Sequence, residues 1–159
     1  MSGSPEIPRP VPRISESVLA DLWAHASAGY PEESCGLLLG APGLIDEARR
    51  CDNRQNALHA EDPIAFPRDA RTAYNLGASD LFFLDKSLRG PRPVQVIYHS
   101  HIDVGAYFST EDKAAATMDG ELVYPVDYLV IDAQRGGARG ARLFRFVGGE
   151  FVEVAAFTR

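Results

Sequence analysis

The sequence predicts an α+β domain in which helices interrupt a mostly antiparallel sheet. Three patterns carry that expectation. Apolar residues recur at helical spacing in separate stretches, short apolar or β-branched runs lie between them, and the last two runs face each other across Gly148-Gly149. No regular strand–helix–strand alternation runs through the chain, as a doubly wound parallel sheet would require.

Taken in order, Ser15 is a suitable N-cap for a helix carrying Val18, Leu19, Leu22, Trp23 and Ala26 on one side, with Gly29 at its end. After Pro31, the run Ser34 to Leu39 reads as a buried strand entered through Glu33. Leu44 to Cys51 reads as its antiparallel partner across the turn Ala41-Pro42-Gly43. Asp52 to Asp69 is polar and weakly patterned, which suggests a long loop, a feature often functional inside a small domain. Arg71 to Leu76 is a candidate strand. Ser79 is placed to cap a helix bearing Leu81, Phe82, Leu84 and Leu88, closed by Gly90. Val94 to Tyr98 is a β-branched strand, Thr110 to about Met118 a helix, and Val126 to Asp132 a central strand. Ala141 to Val147 and Glu150 to Phe157 form the closing hairpin.

At 159 residues the chain falls in the range of one domain with its own core. We place that domain at residues 14–159, after a Pro-rich segment 1–13 expected to be a disordered or extended tail. A net charge of −6 argues against a nucleic-acid partner. Cys35 and Cys51, without an export signal, are expected to be reduced and are too few for a Cys-rich zinc cage. No apolar run approaches the ~18 residues of a membrane span, so the expected compartment is the cytoplasm and no membrane partner is expected.

The chemistry concentrates in Tyr98 to Asp112, YHSHIDVGAYFSTED. His99 and His101 leave a strand two residues apart, so both imidazoles face one side, with backbones about 6.5 Å apart. Ile102 to Phe108 can fold back over that side. Ser109 and Asp112 then match the Ser-x-x-Asp pattern that starts a helix, which brings Asp112 in as a third donor. Two His and one Asp leave a tetrahedral Zn²⁺ one open position for water, the layout of a catalytic site. A lone His is usually a surface or core residue, and Ser-x-x-Asp is usually only a cap. Chance would supply the joint spacing on the order of once in two thousand chains of this composition, which favours the metal reading.

His99-Ser-His101, the seven-residue spacer, Ser109 and Asp112 resemble the motif of the JAMM metalloproteases, also called MPN+, JAB or Mov34, without a gap. The upstream PEESCGLLLG is similar to that family's catalytic-glutamate strand, in which a Glu stands two residues before Cys-Gly. The resemblance spans about Ile14 to Phe157 and implies a curved sheet flanked by helices, a layout like that of cytidine deaminases. It implies one Zn²⁺ per chain on His99, His101 and Asp112, with Glu33 rather than Glu32 as the acid/base. Ser109 would be both helix cap and donor to the oxyanion. The implied reaction is hydrolysis of peptide or isopeptide bonds at the C-terminus of a ubiquitin-like or sulfur-carrier protein, with a homodimer as a further expectation. One departure stands out: Ile102 occupies the place where most members carry Pro, and Ile does not lock the backbone. A catalytically silent scaffold and a zinc hydrolase of small amides or cell-wall peptides are the competing functions.

The remaining candidates are given structural roles. His25 and His59 are expected to be solvated, Cys35 to be a buried structural thiol, and Asp103 to be a solvated loop residue in preference to one that orients a neighbour of the site. Arg135, Arg139, Arg142 and Arg145 are likewise assigned to solvent.

Overall fold

Residues 9–159 are described by a computed structural model. Ser15 opens the first helix as the sequence predicts: its backbone is extended and its Oγ accepts from Val18 N at 3.3 Å. The elements run β1 (Arg13–Ile14), α1 (Glu16–Gly29), β2 (Cys35–Leu39), β3 (Leu44–Ile45), β4 (Glu47–Cys51), α2 (Gln55–Glu61), α3 (Ala78–Ser87), β5 (Val94–Ile102), α4 (Thr110–Ala116), β6 (Thr117–Met118), β7 (Glu121–Leu122), β8 (Asp127–Gln134), β9 (Gly137–Val147) and β10 (Glu150–Thr158). None of the described helices is long and apolar enough to cross a membrane.

A six-stranded sheet in the order β10-β9-β8-β5-β2-β4 forms the middle layer. All its pairings are antiparallel except β5 with β8, which α4 and the β6–β7 hairpin connect. The predicted α+β class is therefore correct. On one face, Val18, Leu22, Trp23 and Ala26 of α1 pack on Leu38, Val96, Tyr98, Leu129 and Ile131. On the other, Leu84 of α3 and Ala116 of α4 meet Cys35, Leu37, Val94, Ile97 and Tyr128. Strand β5 is thus buried on both sides, and its alternation sends Tyr98 toward α1 and His99 toward α3 and α4. Gly36 is needed at the α1 face, because a Cβ there would run into the Tyr98 ring and the Arg49 carbonyl.

Several expected boundaries shift. The predicted strand Leu44 to Cys51 divides, with β3 pairing parallel to β1 and only β4 joining β2. The expected loop Asp52 to Asp69 contains helix α2, and Arg71 to Leu76 is not a strand. Asn53 explains the second difference: its side chain bonds the backbones of Ala73 and Asn75 and takes the place of a ladder. Helix α3 starts at Ala78 with Gly77 as its N-cap and no side-chain cap, so Ser79 lies inside the first turn. Thr117 and Met118 leave the predicted helix to form β6.

The expected tail also changes. Residues 1–8 lie outside the described residues, but Arg13 already belongs to β1, and Arg9 donates to Pro125 O and Asp127. Arg145, assigned to solvent from the sequence, grips the same carboxylate with bonds of 3.0 and 2.8 Å and donates to Arg9 O. The physical reason is position: β8 starts inside the core, so Asp127 is buried and draws in a cation from the adjacent strand β9. The Asp127 side chain is 1% exposed, against 15% for Arg145 and 51% for Arg9. Removing the buried partner should therefore cost far more. Arg145→Met is expected to lose about 3 kcal/mol and Arg9→Met less than about 1 kcal/mol, read from urea unfolding midpoints. Equal losses would show that the pair acts as a surface contact.

Candidate metal centre

The end of β5 and the start of α4 build the centre. His99 and His101 project from the same face of β5, and both are buried. Helix α4 opens with a full capping box: Ser109 Oγ accepts from Asp112 N at 3.0 Å, while Asp112 Oδ2 accepts from Ser109 N at 3.0 Å. That box folds the Asp112 carboxylate back over the helix N-terminus and onto the strand. Asp112 Oδ1 lies 3.1 Å from His99 Nε2, and Oδ2 lies 3.0 Å from His101 Nε2. One donor atom from each of the three residues falls within 4.8 Å of the others.

Protonation tests whether a cation fits there. His101 Nδ1 is 3.2 Å from Gly105 O, and a carbonyl only accepts, so that nitrogen carries the proton. Nε2 then faces the Asp112 carboxylate across a gap that only a proton or a cation can fill favourably. His99 is fully buried: its Nδ1 has no partner among the described residues, and its Nε2 meets only Asp112 Oδ1, at 3.1 Å but off the direction of a hydrogen bond. An orphaned buried nitrogen is costly by itself and is what a metal ligand looks like without its ion. Burial holds His99 toward its neutral form, although Asp112 pulls the other way. Burial also opposes ionisation of Asp112, but the two imidazoles and the Ser109 N–H outweigh it and hold the carboxyl well below the usual range. Two imidazole nitrogens and an ionised oxygen are a donor set that suits a borderline divalent cation such as zinc.

Glu33 comes to this face through strand register. Cys35 pairs with His99 and Ser100 N donates to Ser34 O, so the antiparallel count sets Glu33 level with His101. Glu33 is 7% exposed, whereas Glu32 faces solvent and accepts from Asn56. Burial first, and the Asp112 charge second, push the Glu33 carboxyl up from 4.5 to about 8, with Arg68 pulling the other way. A cleft of about 450 Å³ is lined by four of the five predicted site residues, Glu33, His101, Ser109 and Asp112, together with Tyr74, while His99 is fully buried and joins the group through Asp112. Arg68 bridges to Glu111 at 3.0 Å, joining the segment after α2 to the first turn of α4.

The loop after His101 is pinned without proline. Asp103 takes the left-handed conformation at φ 60°, its N–H donates to Ala133 O at 2.9 Å, and its carboxylate accepts from Tyr30 Oη at 2.8 Å. Asp103 is exposed, yet it anchors the loop, which corrects its reading as a merely solvated residue. Two further corrections concern histidines. His25 lies 2.6 Å from Tyr98 Oη beneath α1, and His59 lies 2.6 Å from Phe66 O, because polar partners are available where each helix packs. Cys35 is buried in the core as expected, and burial pushes its thiol up to about 12. Sequence reasoning missed Asn53 and Tyr74. Asn53 Nδ2 donates to both Glu33 O and Ala73 O, and its Oδ1 accepts from Gln55 N and Asn75 N. The only available signal was their location in or beside a long loop.

The fold is similar to several solved structures. One is the solution structure of a protein from Desulfitobacterium hafniense, 19% identical with a TM-score of 0.60, covering 89% of this chain and 88% of that one. The solution structure of a protein from Salinibacter ruber is 22% identical with a TM-score of 0.59, covering 92% and 91%. The crystal structure of a JAB1/MPN domain protein from Archaeoglobus fulgidus is 16% identical with a TM-score of 0.51, covering 96% and 97%. No curated protein matches the sequence. The family of prokaryotic homologs of the JAB domain matches residues 15–145, a span that includes Glu33, His99, His101, Ser109 and Asp112. The chain belongs to that family.

Proposed function

We propose that this chain is a zinc-dependent peptidase in which His99, His101 and Asp112 hold one Zn²⁺ and Glu33 moves the proton. The observation that carries this reading is a buried carboxylate placed level with His101 on the wall of the same cleft. Three donor residues and no fourth converge among the described residues, which fits an open rather than a closed coordination shell. A bound Zn²⁺ would polarise the scissile carbonyl, acidify water and offset the Asp112 charge that raises Glu33. Glu33 takes the proton from the attacking water and returns it to the leaving amine. Its buried position keeps that proton out of bulk solvent. Ser109 Oγ already accepts from the helix, so its O–H is free to donate to the substrate carbonyl oxygen as charge builds there. The silent-scaffold reading gains no support from a site in which every one of these groups is present.

For substrate, the reading is a peptide or isopeptide bond after a Gly-Gly-like C-terminus of a ubiquitin-like or sulfur-carrier protein. Membership of the JAB family supports it, as does a cleft with the rings of Phe66, Tyr74 and Tyr107 in its lining, beside which residues without side chains fit most easily. β-Grasp proteins with short C-terminal extensions, with and without Gly-Gly→Ala-Ala, should be cleaved unequally when products are followed by mass spectrometry. Equal cleavage, or hydrolysis of small amides alone, would favour the small-substrate hydrolase.

His99→Ala with Asp112→Ala should abolish zinc uptake in elemental analysis, and full retention would remove the site. Glu33→Gln should keep zinc and lose at least about 100-fold in turnover, since an amide cannot shuttle the proton. The same variant reports on burial in chelator-treated protein. The unfolded chain releases the Glu33 proton near 4.5, while the folded chain keeps it to about 8. The folded state therefore binds more protons across that window, and this carboxyl's contribution to stability falls as pH rises through it. Glu33→Gln should thus gain stability relative to the parent at pH 8 by roughly a few kcal/mol more than at pH 5, measured by urea unfolding. A difference independent of pH would place Glu33 in solvent.

A further inference from the structure

The two histidines are oriented by different means. His101 has a hydrogen bond on the nitrogen away from Asp112, to Gly105 O at 3.2 Å. Ligand histidines are generally oriented this way, because the bond on the far nitrogen fixes both tautomer and ring plane. His99 has none: Nδ1, the nitrogen away from Asp112, is buried without a partner among the described residues. A His ring turns about χ2 in a broad well, so burial alone does not set its plane. What lies against His99 is Tyr74, with ring centroids 4.4 Å apart and planes inclined by only 19°. His101 lies on another side of His99 at 5.0 Å and 57°, which leaves one face to the tyrosine.

Tyr74 is itself held firmly. Asn53 donates to Ala73 O at 3.1 Å and accepts from Asn75 N at 3.1 Å, fixing the backbone immediately before and after the tyrosine. The same amide donates to Glu33 O at 2.9 Å. One side chain therefore sets the frame for both the stacked ring and the proton-carrying carboxylate.

We propose that Tyr74 is the positioning residue for His99, and that its stacked ring replaces the missing hydrogen bond in fixing the plane that aims Nε2 toward Asp112. This rests on reading His99 as a metal ligand. The argument uses only the face of the ring. Phenylalanine should serve equally, and a flexible or branched aliphatic side chain should not.

The test is metal affinity of the chelator-stripped full chain, with Zn²⁺ titrated against a chromophoric chelator and Co²⁺ followed by its visible absorption. Tyr74→Phe should bind Zn²⁺ like the parent and give the parent Co²⁺ spectrum. Tyr74→Leu should bind about 10- to 100-fold more weakly, with an altered spectrum. Tyr74→Met, longer and unbranched, keeps the comparison meaningful if the leucine variant unfolds, and urea unfolding verifies each fold. Parent-like affinity and spectrum in folded Tyr74→Leu or Tyr74→Met would overturn the proposal. So would equal weakening in Tyr74→Phe, since the hydroxyl rather than the ring would then be responsible. Absence of Zn²⁺ binding by the parent chain would instead defeat the metal reading itself, and the stacking role with it.

Discussion

The site depends on the register between β2 and β5. Cys35 stands opposite His99, and the bonds between Ser34 and Ser100 carry that pairing past the end of β2 to Glu33. A strand's side chains alternate, so a slip of one residue would turn both histidines toward α1 and bring Tyr98 to the cleft. Contacts on the α1 face resist that slip. Tyr98 packs over Gly36, where no Cβ intrudes, and its hydroxyl meets His25. Packing on the α1 face thus fixes which side chains the opposite face presents.

The cleft on that face is costly to the protein alone. Two carboxylates, Glu33 and Asp112, share a cleft with the imidazole of His101, and the nearby guanidinium of Arg68 is drawn toward Glu111. Asp112 stays ionised because the helix N-terminus and both rings receive its charge, while Glu33 has only weak opposition to its desolvation. The environments push two identical functional groups in opposite directions, the arrangement by which active sites separate ligand from proton carrier. The unpartnered Nδ1 of His99 belongs to the same pattern, since buried polar atoms left unpaired point to a function rather than to stability.

Support for the centre comes from residues with no chemistry of their own. Asn53 ties the Glu33 backbone to the segment on either side of Tyr74, and Asp103 with Tyr30 holds the loop that carries Gly105 toward His101. Where relatives of this motif use proline after the second histidine, this chain uses a left-handed aspartate and a tyrosine hydroxyl. The constraint is moved from the covalent backbone to a pair of hydrogen bonds.

The sequence by itself determined the features that local spacing encodes. The His-x-His pair lies on one strand face because strands have period two, and Ser109 with Asp112 forms a capping box because helix geometry demands it. The choice of Glu33 over Glu32 came through a resemblance, and burial agrees with it. Tertiary structure decided whatever depends on partners distant in the chain. Asp127 draws Arg145 and Arg9 across more than a hundred residues in one case, and His25 meets Tyr98 only because α1 lies over β5. Asn53 and Tyr74 were illegible for the same reason. They sit in or beside a segment with no periodicity, and an amide or a ring acquires a role only when folding sets its neighbours beside it.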